Sequence, residues 1–421
     1  MPAADRPPSP CPLPPTTPDR SETDAHLRAH GPAAPVLLPG GVPGYAITRH
    51  HALRAFLSHP EVAKDARHFA ALRDGRIPPG WPLATFATVD GMTTADGADH
   101  RRLREPVARA LTPRRVAELR TRVERLTAEL LDGLAHHAAA DGTVDLRHAF
   151  AYPLPMRVIC ELLGVDEEFR DRLHELSGLV VSTAIGPEAA LAANRELIAV
   201  LGQVVAARRA APGDDLTSAL IAARREESAS GLSERELTGT LLLMIVAGHE
   251  TTLNLITNAV RALCAHRDQL ALVREGRAGW ADVVEETLRH DSPVAHFPFR
   301  YPTRDLDVGG TVIPRGTPVL ASYAAAGRDP EAYGPDADRF DVTRRPAVRH
   351  LSFGHGPHVC PGAPLARLEA RIALRALFTR FPDLALAVPE AELRPLPTFV
   401  GNSVAELPVR PGRDLGAADR S

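Results

Sequence analysis

The sequence predicts a mainly α protein with small β-sheets, folded as a single domain. Three observations carry this expectation. Apolar residues recur at helical spacing through most of the 421 residues, the segments that alternate like strands are short, and no linker or internal repeat divides the chain. Helices are expected at roughly 101–112, 113–140, 155–163, 167–180, 188–210, 215–225, 233–265, 267–275, 280–290 and 363–380. Extended segments are expected at GYAIT (44–48), across 300–322 with turns at Gly309–Gly310 and Pro314–Gly316, and in FVGNSVAELPVR near the end. Residues 1–25 are proline-rich and polar and read as a disordered tail, leaving one domain over 26–415 and a short tail at 416–421.

Composition narrows the function. A net charge of -3 gives no reason to expect nucleic acid or an anionic membrane as partner. The N-terminal stretch has no continuous apolar core of a secretory signal, and the longest apolar run, LLLMIVAG, meets His249–Glu250 before it is long enough to cross a bilayer. A cytoplasmic protein is the expectation. The four cysteines, Cys11, Cys160, Cys264 and Cys360, are too sparse for a disulfide framework and too far apart for a zinc knuckle.

One cysteine has an unusual setting. In FGHGPHVCPG, Phe353, Gly356, Cys360 and Gly362 are followed by Pro364 and the amphipathic run LARLEARIALRALF. A helix start offers unpaired amides and the positive end of a dipole, both of which favour a thiolate. Glycines let the backbone turn and approach a flat group closely, and Phe353 is placed to shield the sulfur. This pattern, F-x-x-G-x-x-x-C-x-G, resembles the haem-ligand loop of the cytochrome P450 family, which makes Cys360 the expected iron ligand and His358, in the same loop, a haem contact. Position 361 is Pro where the family more often has Leu, so one amide near the sulfur is missing.

A second segment fits that resemblance. LLLMIVAGHETTLNLITNAV is apolar until Gly248, His249, Glu250, Thr251 and Thr252 interrupt it, and glycine and threonine are costly inside a helix. AGHETT is similar to the family's signature on the distal side of the haem. The resemblance implies that Ala247 and Gly248 leave room for dioxygen, that Thr251 hydrogen-bonds the reacting oxygen, and that Glu250 relays protons from solvent.

Three further matches stand in family order. EETLRH supplies Glu286 and Arg289 of an E-x-x-R pair, with Arg344 of FDVTR as the third member of a structural triad. His100, Arg104, Arg300 and His350 match the family's partners of the haem propionates, a role suited to the forked guanidinium. The segment AAAGRDP has Gly327 where the family usually has Asn.

The resemblance covers about residues 25–412 and implies the cytochrome P450 fold, a triangular helical prism around one haem b, with O2 and NAD(P)H-derived electrons as co-substrates. No clustered cysteines or dinucleotide fingerprint are present, so a separate ferredoxin and ferredoxin reductase are implied as partners of a monomer. Arg101, Arg102, Arg104, Arg109, Arg114, Arg115, Arg367 and Arg371 are a candidate basic docking patch. The family's variable pocket segments map to Trp81, Leu83, Phe86, Met92, Val180, Val294, Phe297, Phe399 and Val400, an apolar lining. The expected reaction is hydroxylation of a largely apolar natural-product or steroid-like small molecule. The alternative is oxidative coupling or cyclisation without oxygen insertion. A non-catalytic haem carrier is a third possibility, against which the Glu250–Thr251 pair argues.

Overall fold

A computed structural model describes residues 10–14, 20–182, 185–226 and 232–416. Its centre is a 32-residue helix, Glu234–Ala265. Ser233 and Glu236 close a capping box that satisfies amides of the first turn. Leu237, Leu241, Ile245, Thr252, Ile256 and Leu263 recur at helical spacing and are buried. The helices Pro153–Leu163, Arg170–Val181, Pro187–Ala210, Trp280–His290 and Ala363–Arg380 pack around it. The largest apolar cluster joins these helices.

The strands form the smaller part. Ala33–Leu38 and Val42–Ile47 pair antiparallel around Gly40 and Gly41, whose φ values of +81° and +75° exclude most side chains. Val319–Ser322 joins parallel to the second of them, and His296–Pro302 pairs antiparallel beyond, with a register slip between Phe297 and Arg300. The hairpin expected within 300–322 is present as Leu306–Val308 and Thr311–Ile313, turning on Gly309 and Gly310.

Three expectations change. The helix expected over 113–140 is divided into Pro113–Glu118, Arg120–Gly133 and a tight turn at Leu134–His137. The tail expected at 1–25 is built into the fold in part: Cys11–Pro12 pairs with Val36–Leu37, a helix begins at Arg20, and Leu13 and Leu27 are buried. Two apolar side chains suffice to dock those short pieces; residues 1–9 and 15–19, and 417–421 of the expected C-terminal tail, lie outside the described residues. Finally, Glu188–Ala210 and Glu234–Ala265 are long and apolar enough by composition to cross a bilayer, although most of the apolar window in the second is buried against neighbouring helices.

Candidate active site

The cysteine loop is fixed by its own backbone. The Cys360 amide donates to the Phe353 carbonyl at 2.8 Å, and Val359 donates to Gly356. Gly356 has φ +73°, and a side chain there would strike the Leu57 carbonyl at 2.7 Å. The amides of Gly362 and Ala363, where the next helix begins, point at the Cys360 sulfur. Confinement within the protein is the largest influence on this thiol and pushes it up; those two amides and the Arg104 and Arg367 guanidiniums pull the other way. The helix start alone therefore does not produce a free thiolate. Cys160 and Cys264, each opposed by a nearby arginine, are still pushed to about 12 and about 11, chiefly by burial. A sulfur surrounded by amide donors and cations, yet held protonated, suits a ligand that ionises on binding a metal cation. Phe353 lies under the Arg367 guanidinium, 4.6 Å from ring centre.

Beside the loop stands a group of donors short of acceptors. His100, on the helix Gly97–Ala110, is buried and its Nε2 has no hydrogen-bond partner among the described residues; the buried Arg300 Nε has none among them either. The rings of His100 and His358 lie 4.1 Å apart, and Arg104 donates to the carbonyl of Val359, next to Cys360. Burial first, then Arg300 and the neighbouring His100, lower His358 to about 4 against the opposing pull of Asp96. Leaving such groups unpaired costs about 1–3 kcal/mol each. The haem implied by the sequence carries two carboxylates, and these residues fit it. His350 does not join them: its Nε2 is 3.2 Å from Glu285 Oε2 on the helix before the loop, and Arg367 shares that carboxylate.

The central helix carries the next group. Ala247, exposed midway along an otherwise packed helix, provides an open face, with Thr251 one turn on. The Thr251 hydroxyl donates to the Ala247 carbonyl at 2.8 Å. Gly248 has a different reason to be small: a Cβ there would lie 2.9 Å from Ile159 on the neighbouring helix, so it serves close helix packing. Glu250 turns away from Thr251. Its Oε1 lies 3.3 Å from His249 Nε2 and 3.8 Å from His174 Nδ1. Burial raises Glu250, but the His249 hydrogen bond and the charges of His249, Arg147 and His174 outweigh it and bring the group to about 2. His174 is lowered to about 4, chiefly by burial.

Glu286, Arg289 and Arg344 come together. Arg289 binds both Glu286 oxygens at 2.7 Å, and Arg344 Nε reaches Glu286 Oε1 at 3.4 Å. Gly327 lies against the end of this helix, where a Cβ would be 2.0 Å from the Arg289 carbonyl. The following Asp329 still caps its turn, accepting from the Glu331 amide at 3.2 Å.

Of the expected pocket residues, Trp81, Leu83 and Phe399 are fully packed in an apolar cluster near the N-terminal strands, and the Trp81 indole donates to the Pro39 carbonyl. Met92 and Val180 belong to the main core. Phe86, Val294, Phe297 and Val400 are half-buried and keep free surface. Sequence reasoning missed Lys64, Asp96, Arg147 and His174. Lys64 is buried, its Nζ 4.8 Å over the Phe297 ring, and burial holds its pKa well below the usual lysine value. It is the chain's one lysine, a signal that was visible. The basic patch is thinner than expected, because Glu236 pairs with Arg102 and Glu285 with Arg367.

Fold and site together place a cysteine sulfur facing two helix-start amides beside a set of buried basic side chains. Residues 281–392 match the family description "Cytochrome P450". The chain is 42% identical over 402 residues to 2-hydroxy-5-methyl-1-naphthoate 7-hydroxylase of Streptomyces carzinostaticus, covering 95% of this chain and 97% of that one. Its fold matches CYP154C4 from Streptomyces sp. W2061 at TM-score 0.93 and 49% identity, covering 97% of this chain and 99% of that one. "Testerone bound CYP154C4" from Streptomyces sp. ATCC 11861 matches at TM-score 0.93 and 48% identity, covering 97% and 100%. The chain belongs to the cytochrome P450 family and is a monooxygenase of that family.

Proposed function

We propose that this protein hydroxylates a largely apolar natural-product or steroid-like small molecule in the cytoplasm, as a monomer, using electrons that start on NAD(P)H and arrive through a ferredoxin reductase and a ferredoxin. The observation that carries the reading is the setting of Cys360: amides of Gly362 and Ala363 on its sulfur, beside buried His100 and Arg300 nitrogens without partners among the described residues. Cys360, His100, Arg104, Arg300 and His358 would hold the haem, which when bound would supply reductive activation of O2.

The chain's own residues do the rest. Ala247 leaves space on the central helix, and Thr251 offers a hydroxyl there that must leave the Ala247 carbonyl to donate elsewhere. Glu250 is an ionised carboxylate on a separate cavity of about 300 Å³. It takes protons at Oε1 from the His174 and His249 side and hands them towards Thr251 by rotation, since the two side chains do not bond directly. Phe86, Val294, Phe297 and Val400 present apolar surface for substrate. That the named relatives include a naphthoate hydroxylase and a structure described as testerone-bound supports an apolar ring system as substrate class. Arg101 and Arg115, exposed on and just after the His100 helix, support docking of an acidic ferredoxin.

A screen of polyketides, steroids and aromatic acids for a shift of the Soret band, followed by product mass, tests the proposal. One added oxygen supports hydroxylation; loss of two hydrogens would replace it with coupling.

A further inference from the structure

We propose that His174, His249 and Glu250 form a binding site for a divalent cation of the zinc class, and that its occupancy inhibits turnover by holding the carboxylate needed for proton delivery. The binding rests on geometry alone; the inhibition rests on the role given to Glu250 above.

Three donor atoms converge. His174 Nδ1 and His249 Nε2 are 3.2 Å apart, His249 Nε2 and Glu250 Oε1 are 3.3 Å apart, and His174 Nδ1 and Glu250 Oε1 are 3.8 Å apart. Ligands at ordinary zinc bond lengths occupy tetrahedron corners about 3.3–3.4 Å from one another. Two histidines and one carboxylate, with a position left for water, are a donor set that zinc accepts.

The lone pairs are directed, not incidental. His249 Nδ1 lies 2.6 Å from the Ile245 carbonyl, which only accepts, so that nitrogen donates there and Nε2 is the ring atom turned towards Glu250. A proton on His174 Nδ1 reaches His249 at hydrogen-bond distance but not Glu250, whereas one cation reaches all three. The His174 ring is held by stacking on Tyr152, centroids 3.7 Å apart, and the Tyr152 hydroxyl donates to Asp171 at 3.1 Å. Such support fixes a ligand before the metal arrives.

Access exists as well. The cavity of about 300 Å³ is lined by His148, Tyr152, His174, Glu250, Leu396 and Thr398. The nearby Arg147 guanidinium opposes a cation, although Asn254 and Ser403 accept from it at 2.9 and 3.3 Å. A site of reversible affinity, below that of structural zinc, follows. A second group, His51, Asp329 and Glu331, is a poorer candidate because Asp329 is committed to Arg49 and the His50 amide.

The test uses the haem-loaded, full-length protein and zinc chloride. Equilibrium dialysis should find one zinc per chain, weakened at least about tenfold in His174→Gln and unchanged in Glu331→Gln. His249→Gln gives a second loss, and haem content verifies that each variant is folded. Zinc-edge X-ray absorption of the wild type, which needs no variant, should show nitrogen and oxygen ligands with imidazole features and no sulfur. No bound zinc, equal binding by His174→Gln, or sulfur in the shell would overturn the site. Zinc should also suppress product formation, reversibly by chelator, while leaving the substrate-induced Soret shift unchanged. Binding without inhibition would leave the site standing and refute the inhibitory half, and with it the proton role of Glu250.

Discussion

Arg289 grips both carboxylate oxygens of Glu286 at 2.7 Å, one turn apart on the same helix, and uses its remaining hydrogens on the carbonyls of Gly327, Ala337 and Arg339. Glu286 also accepts from the Asp341 amide at 2.8 Å. The pair thus ties the helix Trp280–His290 to the chain that leads into the cysteine loop. Removing one partner leaves a buried charge alone, a loss of about 3–5 kcal/mol. Glu286→Gln should therefore unfold at markedly lower urea and purify with little haem. Normal stability and haem content would show that the network is dispensable.

Thr251→Ala should cut product formation by about tenfold or more while oxygen and NAD(P)H are still consumed, because a proton-handling hydroxyl is worth about 10²–10⁴ in rate. Glu250→Gln should slow the whole cycle instead. The ratio of product to NAD(P)H consumed separates the two. Unchanged coupling in Thr251→Ala would remove it from the chemistry.

Arg300→Leu and His100→Leu each delete a buried nitrogen that has no partner within the described residues. A charged hydrogen bond is worth about 1.5–3 kcal/mol, so haem should pass to an acceptor globin about ten- to a hundredfold faster from Arg300→Leu. His350→Leu should lose haem at the wild-type rate, since its partner is Glu285.

Glu369 predicts how stability depends on pH. Buried in the helix after Cys360, with Oε2 unpartnered among the described residues, it is raised by burial from 4.5 to about 8. Below 4.5 both folded and unfolded chains carry the proton, and nothing is lost. Between 4.5 and about 8 the unfolded chain ionises first, so this residue makes stability fall as pH rises, fully so above 8. Glu369→Gln should match wild type near pH 4.5 and exceed it by about 5 kcal/mol at pH 8.5. A melting-temperature difference independent of pH would contradict this.

Pro361 has no amide hydrogen to add to those that Gly362 and Ala363 direct at the sulfur. Pro361→Leu restores a third donor, weakens the sulfur as an electron donor, and should raise the haem midpoint potential in a spectroelectrochemical titration. No rise would show that the 361 amide does not reach the sulfur.

These cases show what the sequence made legible. Cys360, Glu286–Arg289 and the Ala247–Thr251 stretch each lie within one short segment, where spacing on a loop or helix fixes relative position. His174 sits 75 residues from His249, and Arg147 is 107 from Asn254, so only packing brings them together. Gly248 was read as room for oxygen when its neighbour Ile159 is the tighter constraint. Trp81 and Phe399 were placed by segment, and an aromatic in a variable segment looks the same whether it faces a cavity or the core. His350 shows the same limit, since its neighbour Glu285 was not singled out.

The most direct measurement is the absorption spectrum of the reduced, carbon-monoxide-treated protein, beside Cys360→Ser. Iron bound by the Cys360 thiolate predicts the Soret maximum at the wavelength that gives the family its name, lost in the serine variant. A wild-type maximum at the shorter wavelength of a histidine-ligated haem, or no haem retained when it is supplied during expression, would contradict it.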